Sequence, residues 1–76
     1  MSILPILTPK ELLTILLKAG FRIVRQRGSH ILLTHTVTKR STTIAMHAKD
    51  FSRKMISKIL KQAGISVKEF LNLLGK

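Results

Sequence analysis

The sequence predicts an α+β fold in which one layer of helices packs on a three-stranded antiparallel sheet, in the order α-β-β-β-α-α. Three observations support this class. A leucine repeat with helical spacing stands near the N-terminus, three strand-like segments with short turns follow it, and two capped amphipathic segments close the chain. Because the chain has 76 residues and no linker-like stretch, residues 1–76 are predicted to form a single domain.

The first helix is predicted within LTPKELLTILLKAGF. Thr8 is the expected N-cap, Pro9 suits the first turn, and Glu11 completes a capping box three residues after the cap. Gly20 is the expected stop. Apolar residues at helical spacing lie between these signals, namely Leu12, Leu13, Leu16, Leu17 and Ala19.

Three strand-like segments follow Gly20. FRIVRQ and HILLTHTV read as strands, and RG or RGS between them suits a tight hairpin turn. KRSTTIAMH is predicted as the third strand, after a loop near residues 38–40. Because the connections are short, the three strands are expected to form an antiparallel meander.

Two helices are predicted to close the chain. SRKMISKILKQAG ends at a stop signal, Gly64, and carries its lysines on a face separate from its apolar one. SVKEFLNLLGK begins with Ser66 and Glu69, which form the pattern of a second capping box. The residues that these helices are expected to bury are Ile56, Ile59, Leu60, Ala63, Phe70, Leu73 and Leu74.

Charge and composition narrow the classes of function. Fourteen Lys and Arg residues against three acidic ones give a formal net charge of +11, which predicts a nucleic-acid or acidic-protein partner rather than a basic surface without a ligand. The absence of cysteine excludes disulfides and thiolate metal sites. MSILPIL is too short and uncharged for a signal peptide, and no run reaches membrane-spanning length, so a cytoplasmic protein is expected.

Two of the three histidines lie in QRGSHILLTH. Strand side chains alternate between faces, so His30 and His35 are predicted to point in opposite directions unless a bulge lies between them. A catalytic pair of these two is therefore disfavoured, and His35 is expected to be a surface or loop-proximal strand residue without a chemical role. A zinc site built from the three histidines is also disfavoured, and no metal is predicted.

His30 is the candidate catalytic residue. It follows Gly28 and Ser29 on a hairpin rich in arginine, where an imidazole can exchange protons with RNA and Arg27 can neutralise phosphate charge. The alternative is an exposed strand-start histidine without a function. His47 is the candidate second proton-transfer group, or else a structural histidine. The sequence leaves open whether it lies near the hairpin or at the opposite end of the sheet.

Two groups of residues are predicted to contact RNA. Arg27, Gly28 and Ser29 form the first group, on the hairpin. Lys54 and Lys58 recur on one face of the predicted second helix, where the alternative is an ordinary solvated face. Only three aromatic residues are present, which disfavours binding of single strands by base stacking.

The ordered segments LLKAGF, RGSH, a histidine at position 35, IAMH and ILKQAGISVKEFLNLL resemble the HicA toxin family. These are small bacterial and archaeal mRNA interferases encoded with HicB antitoxins. The resemblance runs from about Leu7 to Leu74. It implies a fold similar to the double-stranded-RNA-binding domain and mRNA cleavage that depends on His30, with Gly28 as the glycine of the Gly-x-His motif. It also implies a HicB-like antitoxin that blocks access of RNA.

The sequence and the resemblance together predict the toxin of a type II toxin–antitoxin system, acting as an endoribonuclease without metal or cofactor. Two other classes stay open. One is a non-catalytic module that binds double-stranded RNA by its shape. The other is a protein-binding module whose basic face docks an acidic partner. RNA cleavage that depends on His30 would distinguish the enzyme from the RNA-binding module. Affinity for RNA would distinguish it from the protein-binding module.

Overall fold

The structure, a computed structural model, describes residues 6–47 and 51–75. Its elements are α1 (Pro9–Lys18), β1 (Phe21–Arg27), β2 (His30–His35), β3 (Ser41–Ala45), α2 (Arg53–Ala63) and α3 (Val67–Leu73). The predicted α+β class and element order are therefore confirmed. Within the described ranges, no helix has the length and apolar character needed to cross a membrane.

Each helix begins at a side-chain cap. In α1 the predicted capping box is present, because Thr8 Oγ1 accepts from the Glu11 N–H at 3.2 Å and the Thr8 N–H donates to the Glu11 carboxylate at 2.9 Å. This backbone bond and one from the Thr8 hydroxyl lower the pKa of Glu11. Ser52 and Ser66 cap α2 and α3 by accepting from the backbone N–H three residues ahead.

The second and third strands are shorter than predicted. The expected β2 extended to Val37, but the N–H groups of Val37 and Thr38 instead donate to the ring of His35. Lys39 then has a left-handed φ of 64°, and the chain reverses before β3 begins at Ser41. A side chain that bonds the following backbone therefore ends β2 two residues early.

The sheet has the order β1-β2-β3, with both pairs antiparallel and β2 in the centre. Along β2 the alternation is regular. Ile31 and Leu33 are buried on the inner face, whereas His30 is exposed at the start of the strand. His35 follows the inner-face positions and contacts Phe21 of the core. The prediction that His30 and His35 point to opposite faces is confirmed.

The first strand contains a bulge that the sequence analysis did not predict. Ile23 pairs with Leu33, yet Arg25 pairs with Leu32, so Val24 is an additional residue in β1. Its side chain is exposed. Because of this additional residue, the side chains of β1 after the bulge point to the face opposite the one that a regular strand would give them.

One hydrophobic core joins the sheet to the helices. Its fully buried members are Leu12, Leu16, Phe21, Leu33, Ile44, Ile56 and Phe70. Phe70 is buried as predicted, whereas Leu73 and Leu74 are half-buried because they lie at the end of α3 and at its cap. The segment before α1 is held by a bond from the Phe51 N–H to the Leu7 carbonyl at 2.8 Å.

We predict that Gly20→Ala destabilises the protein more than Gly28→Ala. Both glycines have positive φ, 106° and 60°, which costs an alanine about 1–2 kcal/mol. An added Cβ at Gly20 would also lie 2.9 Å from His35 Nε2, whereas one at Gly28 would meet nothing within 4 Å. We expect this crowding to add about 1–3 kcal/mol, measured by urea unfolding. Equal losses in the two variants would contradict the packing of His35 on Gly20.

Candidate active site

The hairpin between β1 and β2 holds His30 in an exposed position. Gly28 and Ser29 form a two-residue turn between the paired residues Arg27 and His30. The φ of 60° at Gly28, the first central residue, is the type II′ pattern that favours glycine. Because directly paired residues share a face of the sheet, the Arg27 side chain stands next to His30.

The structure places His47 at the hairpin and not at the opposite end of the sheet. His30 pairs with Ala45, and the Met46 N–H donates to the Ser29 carbonyl at 2.6 Å, so the chain leaving β3 passes beside the turn. The ring centroids of His30 and His47 are 5.4 Å apart, at an interplanar angle of 63°. Both side chains are exposed. The two candidate proton-transfer groups therefore form one solvent-facing pair.

Ser29 orients the second ring of this pair. Its Oγ lies 2.9 Å from His47 Nδ1, within hydrogen-bond distance. In a neutral ring the serine hydroxyl can donate to Nδ1, and in an imidazolium the Nδ1–H donates to the serine oxygen. In these two arrangements Nε2 carries a proton, whereas in the other neutral tautomer Nδ1–H donates to the serine oxygen and Nε2 is an acceptor; in all three, Nε2 is directed away from Ser29. Ser29 was predicted only as a contact to RNA, and this bond could not be predicted because nothing local to the hairpin indicates that residue 47 comes within reach.

The predicted lysines lie on α2, beside the third strand. Lys54 and Lys58 are exposed, and Lys58 lines a groove between α2 and β3. The opposite wall of the groove includes Thr43 and Ala45, and Ala45 is the β3 residue paired with His30. The groove therefore has Lys58 on one wall and, on the other, the strand residue that pairs with His30.

His35 has a structural role that sequence analysis did not assign. The N–H groups of Val37 and Thr38 donate to its Nδ1 at 3.0 and 3.1 Å, so Nε2 carries the hydrogen that bonds the Ala19 carbonyl at 3.1 Å. The ring is half-buried and meets Phe21 edge-on, with centroids 5.1 Å apart. His35 therefore joins the end of α1 to the turn after β2.

No three histidine, cysteine or acidic side chains cluster in the part of the chain that the structure describes.

In the comparison with protein families, the model described as the HicA toxin of bacterial toxin–antitoxin systems matches residues 9–65, which is more than half of the chain. The match runs from the start of α1 to just beyond α2 and includes the whole hairpin. A search of curated proteins found no match.

We predict that Ser29→Ala changes the ring of His47 and leaves His35 unchanged. The substitution removes the hydroxyl at Nδ1 but keeps the backbone bond from Met46 to residue 29. Long-range ¹H–¹⁵N spectra should show altered ring shifts and tautomer balance for His47. The three bonds that hold His35 make it the internal control. If the His47 signals stay the same, the bond to Ser29 is not formed in solution.

Proposed function

The chain belongs to the HicA toxin family, and on that premise we propose that it is an endoribonuclease that cleaves mRNA in the cytoplasm. Membership of a toxin–antitoxin family implies an antitoxin partner, and we propose that this partner is HicB-like and inhibits by covering the histidine pair. The observation that carries the proposal is the exposed pair of rings, His30 and His47, 5.4 Å apart beside Arg27.

Cleavage of RNA by its own 2′-hydroxyl requires two proton transfers, and the pair supplies two imidazoles. In the proposed step His30 takes the proton from the 2′-oxygen as that oxygen attacks phosphorus. The bond from phosphorus to the 5′-oxygen breaks, and His47 Nε2 gives that oxygen a proton. The products are a 2′,3′-cyclic phosphate and a 5′-hydroxyl. No metal or cofactor enters this balance.

The groups around the pair have supporting roles in this proposal. Ser29 accepts from Nδ1–H when His47 is an imidazolium and so directs Nε2–H at the leaving oxygen. The Arg27 guanidinium beside His30 stabilises the charge that develops on the phosphorane-like transition state. The backbone at Gly28 and Ser29, and the exposed lysines Lys54 and Lys58, are the proposed contacts to flanking phosphates.

We predict that His30→Ala and His47→Ala each reduce RNA cleavage by about 10²–10⁴-fold, the usual worth of a general acid or base. The measurement is kcat/KM on RNA across pH, with antitoxin-free protein, and each variant should lose one limb of a bell-shaped profile. RNA with 2′-O-methyl groups throughout should bind and stay intact. Asn72→Ala, an exposed change on α3, is the control variant. Excess chelator should leave the cleavage unchanged.

Three outcomes would contradict this mechanism. Equal cleavage by wild type and His30→Ala would remove His30 from the chemistry. Loss of cleavage in chelator would refute the metal-free step. Intact RNA after long incubation, with equal duplex binding by both proteins, would instead favour a non-catalytic double-stranded-RNA binder, for which the exposed lysine face of α2 is the supporting observation.

A further inference from the structure

Three arginines of β1 lie on the same face of the sheet as His30. Arg22 pairs with Thr34, Arg25 with Leu32, and Arg27 with His30 itself. The partners at positions 34, 32 and 30 are alternate residues of a regular strand, so they share one face. Since paired residues stand side by side, their three arginine partners share that face too. We call Arg22, Arg25 and Arg27 the arginine row.

The bulge at Val24 creates this alignment. In a regular strand, Arg22 would point to the face opposite Arg25 and Arg27, because it lies an odd number of residues from both. The additional residue between Ile23 and Arg25 restores a common direction. Neighbours in the row are therefore about 7 Å apart along the strand, two residues of β2 per step. The row ends at the histidine pair.

The outer face around the row suits contacts with phosphates and not with bases. The three phenylalanines of the chain are all buried, so the row has no phenylalanine ring beside it for stacking, and the rings at its end are the imidazoles of His30 and His47. Its other strand members besides His30 are Leu32, Thr34, Ser41, Thr43 and Ala45, and the hydroxyls of Thr34 and Ser41 bond each other at 2.9 Å. All three arginines are exposed.

Acidic side chains that could neutralise the row lie elsewhere in the described structure. Glu11 caps α1, and Glu69 lies in the first turn of α3. The third acidic residue, Asp50, lies outside the described residues. The row is thus an array of regularly spaced positive charges that ends beside two imidazoles.

We propose that the arginine row binds the backbone of single-stranded RNA and leads it to the histidine pair. The inference rests on the proposed ribonuclease function for its choice of RNA over an acidic protein, because the row continues directly into the site where a phosphate would react. It selects an unpaired strand because the 2′-oxygen must come into line with the leaving oxygen, which a duplex backbone does not permit. Successive guanidinium groups then hold successive phosphates on one side of the scissile bond.

The test measures binding apart from cleavage, in His30→Ala protein. A fluorescent 12-nucleotide single-stranded RNA of mixed sequence is titrated at several salt concentrations, and Arg22→Gln/Arg25→Gln is compared with Lys10→Gln/Lys68→Gln. Both pairs remove two charges from exposed positions, but the lysines lie on α1 and α3. We expect the row variant to lower the slope of log K against log salt by about 1.4, from about 0.7 per lost phosphate contact. The lysine variant should keep the parent slope.

Each outcome decides the inference separately from the ribonuclease activity. Equal slopes of log K against log salt for the two variants would overturn the proposal that the arginine row binds RNA, even if wild-type protein cleaves RNA. A lower slope in the row variant supports the row, even if wild-type protein cleaves nothing. A duplex of the same strand that binds as tightly, with the same loss in the row variant, overturns the preference for single strands. Unchanged RNA binding with lost antitoxin binding assigns the row to the protein interface and overturns the proposal.

Discussion

The candidate site depends on the register of β2, the central strand. Ile31 and Leu33 are buried against the helices, and their packing decides which residues of the strand point outward. A slip of one residue would turn His30 toward the core and His35 toward solvent. Because β1 and β3 both take their register from β2, the arginine row and the approach of His47 follow from two buried aliphatic side chains.

The order of the elements could be predicted because its signals are local. The capping box of Thr8 and Glu11 marks the start of α1, and Gly64 marks the end of α2. Each of these signals, like the apolar spacing within each helix, acts over a few residues of the chain. The end of β2 could not be predicted in the same way, since it depends on where the His35 ring lies. That ring is fixed by Phe21 and by the Ala19 carbonyl, which belong to earlier elements. The helix boundaries could therefore be predicted from local sequence signals, whereas the end of β2 is determined by tertiary packing.

The candidate site shows the same distinction. Gly28, Ser29 and His30 are adjacent in the sequence, so their shared hairpin could be predicted. The approach of His47 to His30 depends on the register between β2 and β3, which no local sequence pattern predicts. The bulge also had no marker of its own, because Val24 is an ordinary strand residue. Only a conflict across β1 could have indicated it: regular alternation would put Phe21, a core residue, on the same face as Arg25 and Arg27.

The position of β1 at the edge of the sheet gives the same arginines a second consequence. An edge strand exposes unpaired backbone groups to which another chain can add, and Ile23 and Val24 are both exposed on this one. A bulge distorts that template, and three like charges along it repel an identical strand. The residues proposed to face the substrate therefore also disfavour pairing of this edge with an identical strand.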